Sequence, residues 1–370
     1  MPKAVTDLVE AARAGDATRA RKILKAHPEA ARDWKPIMNA CFYGQPELVQ
    51  MLLKTGADPN ILSKTPHRHR PLHRTIEHKK TLPKTKAHDR VVEVLLAAGA
   101  DPLQRGTYHR WTALALAACG GETRFVDPLR KALPPLDLWH AAALGETARV
   151  KTLVKQDPKR ATERDADGWT PLLWACASQM HKTDSKAARG LIEIAAFLLE
   201  RGAKPNDAFL FEGKWPLPAL YWASGWSGNT KLTEMLLKAG ADPHDGESLH
   251  HSAEQMHTGC LHALLAHGCD VNHRHSTAGN TALHFLISYT SLQGVPWLLE
   301  HGADPNVPCG KDGETALHAA ARRGCNEKLL ARLLKHGANP AAKSKQGRTP
   351  LQVAQAAGHR NAAAFLKAHA

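Results

Sequence analysis

Thr281-Ala282-Leu283-His284, Thr315-Ala316-Leu317-His318 and Thr349-Pro350-Leu351 begin 34 residues apart. A period of that length is the mark of stacked supersecondary units rather than of an ordinary globular domain. A second phrase runs in phase about 21 residues behind the first: Gly302-Ala303-Asp304-Pro305 and Gly337-Ala338-Asn339-Pro340. Working back toward the N-terminus, the second phrase recurs as Gly268-Cys269-Asp270-Val271, Gly240-Ala241-Asp242-Pro243, Gly202-Ala203-Lys204-Pro205, Gly99-Ala100-Asp101-Pro102 and Gly56-Ala57-Asp58-Pro59. The first recurs as Thr170-Pro171-Leu172, with weaker equivalents of the Thr at Thr6, Lys35, Arg70, Thr112, Leu136, Pro218 and Glu247.

Each phrase has a mechanical reading. A Thr hydroxyl caps a helix, Pro or Ala suits its first turn, and small residues behind it let neighbouring helices approach closely. A second helix follows with an apolar stripe such as Leu48, Val49, Met51, Leu52 and Leu53, and it ends at a Gly able to take positive φ. A polar stretch such as Asp165-Ala166-Asp167-Gly168 turns the chain toward the next Thr. One repeat is therefore helix, helix, hairpin-like loop, and the fold class is all-α.

These residues resemble the ankyrin repeat family, whose signatures are Thr-Pro-Leu-His-x-Ala-Ala and Gly-Ala-Asp-Pro-Asn. The sequence reads as one ankyrin-repeat solenoid of about eleven repeats over 1–370, with approximate bounds 4–33, 34–66, 67–107, 108–133, 134–167, 168–214, 215–245, 246–277, 278–311, 312–345 and 346–370. The motif histidine stands at His73, His250, His284 and His318, with Val9, Met38, Ala115, Trp139, Leu173, Tyr221 and Gln352 in its place elsewhere. Repeats one, four and five lack the Gly-Ala-Asp-Pro turn. Such repeats bury their apolar faces only against neighbours, so a curved array is expected.

The resemblance implies a binding scaffold that recognises a protein partner through its concave face. The implied contact positions are the hairpin tips, the residue before the motif Thr and the residue after the motif His. Those positions hold Trp111 and Trp169 before the Thr, and His140, Trp174, Trp222, His251 and Phe285 after the His, with Trp226 near the inter-helix loop of repeat seven. Tryptophan is over-represented among interface anchors. The same rings also suit packing between repeats, and Trp174 and Trp222 are open to both readings.

The chain carries 49 Lys and Arg against 35 Asp and Glu, a formal charge of +14. Nine of those cations, Lys64, Arg68, Arg70, Arg74, Lys79, Lys80, Lys84, Lys86 and Arg90, share one stretch with only Glu77 and Asp89 against them. This stretch is the alternative site, for an acidic surface or nucleic acid. It has no aromatic residue, so base stacking is not expected there. The other reading is a solvated loop that aids solubility.

Catalytic chemistry is not signalled: there is no GxxxxGK[ST], HExxH or GxSxG, the patterns that position phosphate, zinc or a nucleophile. No cofactor is expected. The 23 histidines invite a metal, above all His67, His69, His73 and His78. No Cys or carboxylate arrangement completes a tetrahedral set with them, however. His257, His262 and His267 are spaced by five and fall on different sides of a helix. Seven cysteines in no CxxC pair fit a reducing, cytoplasmic setting. No apolar run approaches the roughly 20 residues that span a bilayer, and the N-terminus reads as a helix of the mature protein, because Lys3, Asp7, Glu10, Arg13 and Asp16 interrupt the apolar core that a secretion signal needs. A monomer without membrane contact is the expectation.

Overall fold

The computed structural model describes residues 2–77, 83–107, 110–275 and 279–369. The chain falls into two compact units, Met1–Leu198 and Leu199–Ala370. In the first, helices come in pairs: Pro2–Ala14 with Ala17–Ala26, Trp34–Phe42 with Pro46–Lys54, Pro71–Ile76 with Lys86–Ala97, Ala113–Cys119 with Val126–Lys131, Leu138–Ala143 with Thr147–Gln156, and Pro171–Ala177 with Ser185–Glu200, which runs over the boundary. In the second unit the pairs are Ala219–Tyr221 (continued by a π-helical turn, Trp222–Trp226) with Thr230–Lys238, Ser248–Gln255 with Thr258–Ala266, Ala282–Tyr289 with Val295–Glu300, Ala316–Arg323 with Glu327–Lys335, and Pro350–Ala356 with Arg360–Ala368. Within each unit the first helix of a pair packs on the first helices of its neighbours.

Capping explains where these helices start. Thr112 and Thr281 accept from the backbone N–H of Ala115 and His284 at 3.1 and 3.3 Å, and Thr315 and Thr349 form reciprocal capping boxes with His318 and Gln352. Each cap satisfies a donor that the helix itself cannot. The glycine of Gly-Ala-Asp-Pro stops the second helix in left-handed backbone, φ 103° at Gly56 and 87° at Gly337, a conformation that costs glycine no Cβ clash.

Two hydrogen-bonded stitches then join successive repeats. In one, an Asn side chain reaches the next turn: Asn306 Nδ2 donates to the Gly337 carbonyl at 2.8 Å while its Oδ1 accepts from Asn339 N at 2.8 Å. Asn60, Asn206 and Asn272 do the same to the turns at Gly99, Gly240 and Gly302. In the other, the motif histidine joins its Nε2 to the carbonyl just before the next capping residue: His73 to Trp111 at 2.9 Å, His250 to Asn280 at 3.3 Å and His318 to Arg348 at 2.9 Å.

The core of each unit lies between the helix layers. Leu8, Leu48, Leu95 and Leu129 are fully buried in the first and Leu232, Leu264, Leu286 and Leu333 in the second. Each buried leucine stabilises its unit by roughly 2 kcal/mol. Alanines 117, 118, 141 and 142 are fully buried where first helices meet. Gly190 of the helix Ser185–Glu200 lies so near the turn after Leu138–Ala143 that a Cβ there would stand 2.0 Å from the Gly145 carbonyl oxygen. All seven cysteines are buried thiols, none in a disulfide, and burial pushes Cys41 and Cys269 up to about 12.

The structure departs from the sequence reading at the degenerate repeats. Repeats one and five replace the glycine turn with 3-10 turns led by proline, Pro28–Arg32 and Pro158–Thr162. The first helix begins at Pro2, so Thr6 lies inside it rather than capping it. In repeat two Asp33, not Lys35, is the cap, and in repeat five it is Asp137, not Leu136. The excess length of repeat six is taken up by a 3-10 turn, Met180–Lys182, and a 16-residue second helix. Beyond it, Ala208–Phe211 pairs antiparallel with Trp215–Pro218, Phe209 opposite Leu217.

Candidate interaction surface

In the first unit three of the expected anchors form one aromatic core. The Trp169 and Trp174 rings stack at 4.6 Å, and Trp111 lies 5.8 and 5.9 Å from them. Trp111 and Trp169 are 1% and 0% exposed, and Trp174 is 4% exposed. Their groove exposure is therefore corrected: these rings are packing, covered by the hairpin turns beside them. Asp165 organises one of those turns, accepting from Asp167 N at 2.9 Å, Trp169 N at 3.0 Å and Trp174 Nε1 at 3.3 Å. Asp167 is ion-paired with Arg105 and, at 2.9 Å, with Arg110 of the preceding hairpin.

His140 is also corrected in role. With Asp137 as the cap, His140 occupies the motif-histidine position three residues on, one place earlier than the sequence reading put it. Its Nδ1 lies 2.8 Å from the Asp137 carboxylate and its Nε2 2.8 Å from Thr112 Oγ1. Burial works against ionisation of Asp137, but the hydrogen bonds and charge of His140 prevail and hold its carboxyl below the usual range. The imidazole is thereby fixed between repeats four and five.

In the second unit Trp222 is fully buried, which overturns its expected exposure. Its Nε1 donates to the Leu217 carbonyl at 3.1 Å, and Phe209 and Trp226 pack on its ring at 6.4 and 5.5 Å. The β-hairpin is its cover. Trp226, His251 and Phe285 are half-buried. His251 meets Phe285 at 5.7 Å, Phe285 meets Tyr289 at 5.9 Å, and Tyr289 is 67% exposed. A row of rings thus runs from repeat eight along the first helix of repeat nine to solvent. Sequence reasoning passed over Tyr289 because it lies one helical turn beyond the position that the family pattern marks; the i, i+4 spacing from Phe285 was the available signal.

Carboxylates hold that row in place. His251 Nε2 pairs with Glu247 at 3.2 Å and its Nδ1 with Glu254 at 3.0 Å, while His275 Nε2 reaches Glu247 at 2.8 Å. Burial opposes charge on His251, but the hydrogen bonds of the two glutamates raise it to about 9. Burial likewise opposes charge on Glu247, and the two histidines bring it down to about 2. His251 is therefore a cation at neutral pH.

The basic stretch is distributed over several elements. Arg70 is tied to the Arg105 carbonyl at 2.9 Å and to the Asn60 carbonyl. Arg74 pairs with Glu77 at 2.6 Å and lies 3.9 Å over the Phe42 ring, with Lys84 5.2 Å over the same ring. Lys64, Arg68, Lys86 and Arg90 are exposed, Arg90 pairing with Glu93 at 2.7 Å. Lys79 and Lys80, with His78, lie outside the described residues. Among the described residues no group of three or more His, Cys, Asp or Glu converges to hold an ion, and no helix is long and apolar enough to cross a membrane.

The comparisons agree with this architecture. The model described as "Ankyrin repeats (3 copies)" matches residues 220–309 and 307–370, and two models described as "Ankyrin repeat" match 32–61 and 167–208. The chain belongs to the ankyrin repeat family. Among ankyrin repeat relatives, it is 35% identical over 105 residues to ankyrin repeat and SOCS box protein 11 of Danio rerio, a match covering 28% of this chain and 34% of that protein. It is 25% identical over 331 residues to the E3 ubiquitin-protein ligase KEG of Arabidopsis thaliana, covering 82% of this chain and 19% of the relative. It is 27% identical over 256 residues to SH3 and multiple ankyrin repeat domains protein 2 of Homo sapiens, covering 68% and 11%. The matched stretches thus span about a third or less of these relatives. The solved ankyrin repeat domain of human ASB11 is 26% identical with a TM-score of 0.49, covering 64% of this chain and 98% of that one.

Proposed function

We propose that this ankyrin repeat chain is a non-catalytic, monomeric, cytoplasmic scaffold that recognises a protein partner through its first helices and hairpin tips. The observation that carries the reading is the row His251–Phe285–Tyr289, which reaches solvent at Tyr289, whereas Trp111, Trp169 and Trp174 of the first unit are spent on packing. Aromatic side chains held in place before binding lose little entropy on association, which makes them effective anchors.

The test is capture of a stoichiometric protein from native extract at low and high salt, with and without nuclease, followed by Phe285→Ala with Tyr289→Ala. We expect at least a tenfold loss of affinity with unchanged circular dichroism; undiminished binding refutes the assignment. Polyanion binding ranks second, because, of the described Lys and Arg in the basic stretch 64–90, only Lys64, Arg68, Lys86 and Arg90 are exposed. Nucleic acid recovered at low salt and lost at high salt would reverse that order.

A further inference from the structure

From Lys328 to the last residue the chain carries eight Lys and Arg and no Asp or Glu, more than half of its net charge of +14. In the basic stretch 64–90, Arg70 is tied to carbonyls, Arg74 and Arg90 to glutamates, and Lys84 lies over an aromatic ring. The C-terminal cations are less engaged. Arg332 pairs with Glu300 at 3.5 Å. The other seven are exposed, and among the described residues their side chains have no ion-pair or hydrogen-bond partner. Lys343, Lys345 and Arg348 stand on the hairpin between the last two repeats, closed by Ser344 N donating to the Arg348 carbonyl at 2.9 Å. Lys345 N stacks this hairpin on the preceding one through the Asp312 carbonyl at 2.9 Å, and Gln346 Nε2 donates to the Asp312 carboxylate. Lys328 and Lys335 are seven residues apart on Glu327–Lys335, as are Arg360 and Lys367 on Arg360–Ala368. Seven residues are two turns, so each pair shares a helix face about 10 Å apart. The other face is buried, through Leu329, Leu330 and Leu333 in the first helix and Ala362 and Leu366 in the second. Glu327, the acid that precedes this end, lies in the first turn of its helix, where the helix dipole favours it.

A terminal repeat needs a polar outer surface, but charge of either sign supplies polarity. Neighbouring like charges repel one another, and solubility is served by interspersed signs. A field of one sign is what steering of an oppositely charged partner requires. The class of anion is narrowed by the remaining surface. The exposed large apolar side chains are Tyr43, Leu210, Trp215 and Tyr289, none of them in the last two repeats, so no side chain there inserts into a lipid surface. Phe365 is half-buried and stacked on His369 at 4.2 Å, which leaves no exposed ring for base stacking. The cations stand on a hairpin and two helices, a path that a flexible chain can follow around the end of the repeats and that a rigid duplex or a flat bilayer meets only in part. This end also continues the aromatic row, since Arg323 donates to the Thr290 carbonyl beside Tyr289 at 3.0 Å.

We propose that the acid-free end, residues 328–369, docks an acidic, unstructured segment of the protein partner, adjacent to the part that engages His251, Phe285 and Tyr289. The proposal rests on the reading of this chain as a protein-binding scaffold. It is tested without the partner, so the two can fail separately. A fluorescein-labelled oligoglutamate peptide is titrated into the unaltered chain and followed by anisotropy at low and high salt. Duplex DNA with the same number of charges and phosphatidylserine vesicles are run in parallel. The expected result is saturable peptide binding that weakens with salt and falls at least fivefold when Lys343→Gln, Lys345→Gln and Arg348→Gln are combined. A second variant, Lys64→Gln with Arg68→Gln and Lys86→Gln, removes the same charge elsewhere and should change the affinity less than twofold. All six side chains are exposed, so circular dichroism should match the unaltered chain in both. Absence of peptide binding, or equal weakening by the two variants, overturns the proposal. Tighter binding of the duplex or of the vesicles than of the peptide also overturns it and assigns this end to nucleic acid or lipid. Absence of any captured partner overturns the scaffold reading and leaves this titration standing.

Discussion

Lowering the pH from about 7.5 to about 5 should remove about 2 kcal/mol of stability for each histidine that the fold keeps neutral, since one pKa unit corresponds to about 1.4 kcal/mol. Burial lowers His73 to about 3, and His250 and His284 to about 4, from 6.5. The unfolded chain takes up a proton near 6.5 while the folded chain does not, so this stability is fully present above 6.5 and is lost as pH falls toward the folded values. At pH 5 about 1.5 units of the shift have been spent, or about 2 kcal/mol per group. The first unit, holding His73, should lose about 2 kcal/mol and the second, holding His250 and His284, about 4.

Asp245 acts oppositely in the second unit. Burial raises it to about 6, so its penalty is relieved below that pH and offsets about 1 kcal/mol, leaving a net loss of about 3. His251, raised to about 9, offsets about 1 kcal/mol more as pH falls from 7.5 through 6.5, which brings the net loss of the second unit to about 2 kcal/mol; Glu247, lowered to about 2, contributes fully above 4.5. The assay is urea unfolding by circular dichroism across this pH range, with the proton uptake on unfolding measured calorimetrically. For an m-value of roughly 2 kcal/mol per molar, the midpoint should fall by about 1 M or more. A midpoint that is flat or rises toward pH 5, or unfolding without proton uptake, refutes the reasoning.

Three further outcomes follow from packing and capping. Trp174→Ala and Trp222→Ala, whose rings are 4% and 0% exposed, should each destabilise the fold by about 3–5 kcal/mol, read from thermal unfolding; losses under about 1 kcal/mol would contradict their burial. Gly190→Ala places a methyl group 2.0 Å from the Gly145 carbonyl oxygen and should cost about 1–3 kcal/mol, measured in urea. A neutral result there would show that the helix Ser185–Glu200 does not touch the turn at Gly145. Asp137→Ala removes both a helix cap and the orienting partner of His140, so it should cost about 1–2 kcal/mol, read from thermal unfolding; an unchanged midpoint would contradict the cap.

The ankyrin repeat fold was legible because capping Thr and terminating Gly are local demands of the backbone, written in phase at the regular repeats toward the C-terminus in residues that few others replace. Boundaries failed where another residue met the same demand. Asp137 caps as well as Thr, but its neighbour Leu136 had been aligned with the Thr, and that one-residue slip moved His140 from the motif position to the groove. Pro28 and Pro158 start 3-10 turns that do the work of the missing glycines; two copies of a proline-led turn were visible, but only their absence of glycine had been read. The tryptophans were legible as large rings and not as buried ones, because burial depends on the mutual packing of Trp111, Trp169 and Trp174 from different repeats and on the Ala208–Phe211 and Trp215–Pro218 strands beside Trp222. Those contacts are between segments that sequence periodicity treats separately.

The buried thiols make the molecule its own recorder of partial unfolding. A thiol reacts as the thiolate, and burial suppresses that form and blocks reagent alike, so alkylation at each cysteine waits for its surroundings to open. Cys41, Cys119 and Cys176 sample the first unit and Cys260, Cys269, Cys309 and Cys325 the second. A time course with an alkylating reagent, read peptide by peptide in a mass spectrometer, would rank seven places in the array by opening rate in the unaltered protein. Repeated with a captured partner, it would mark where binding slows that opening.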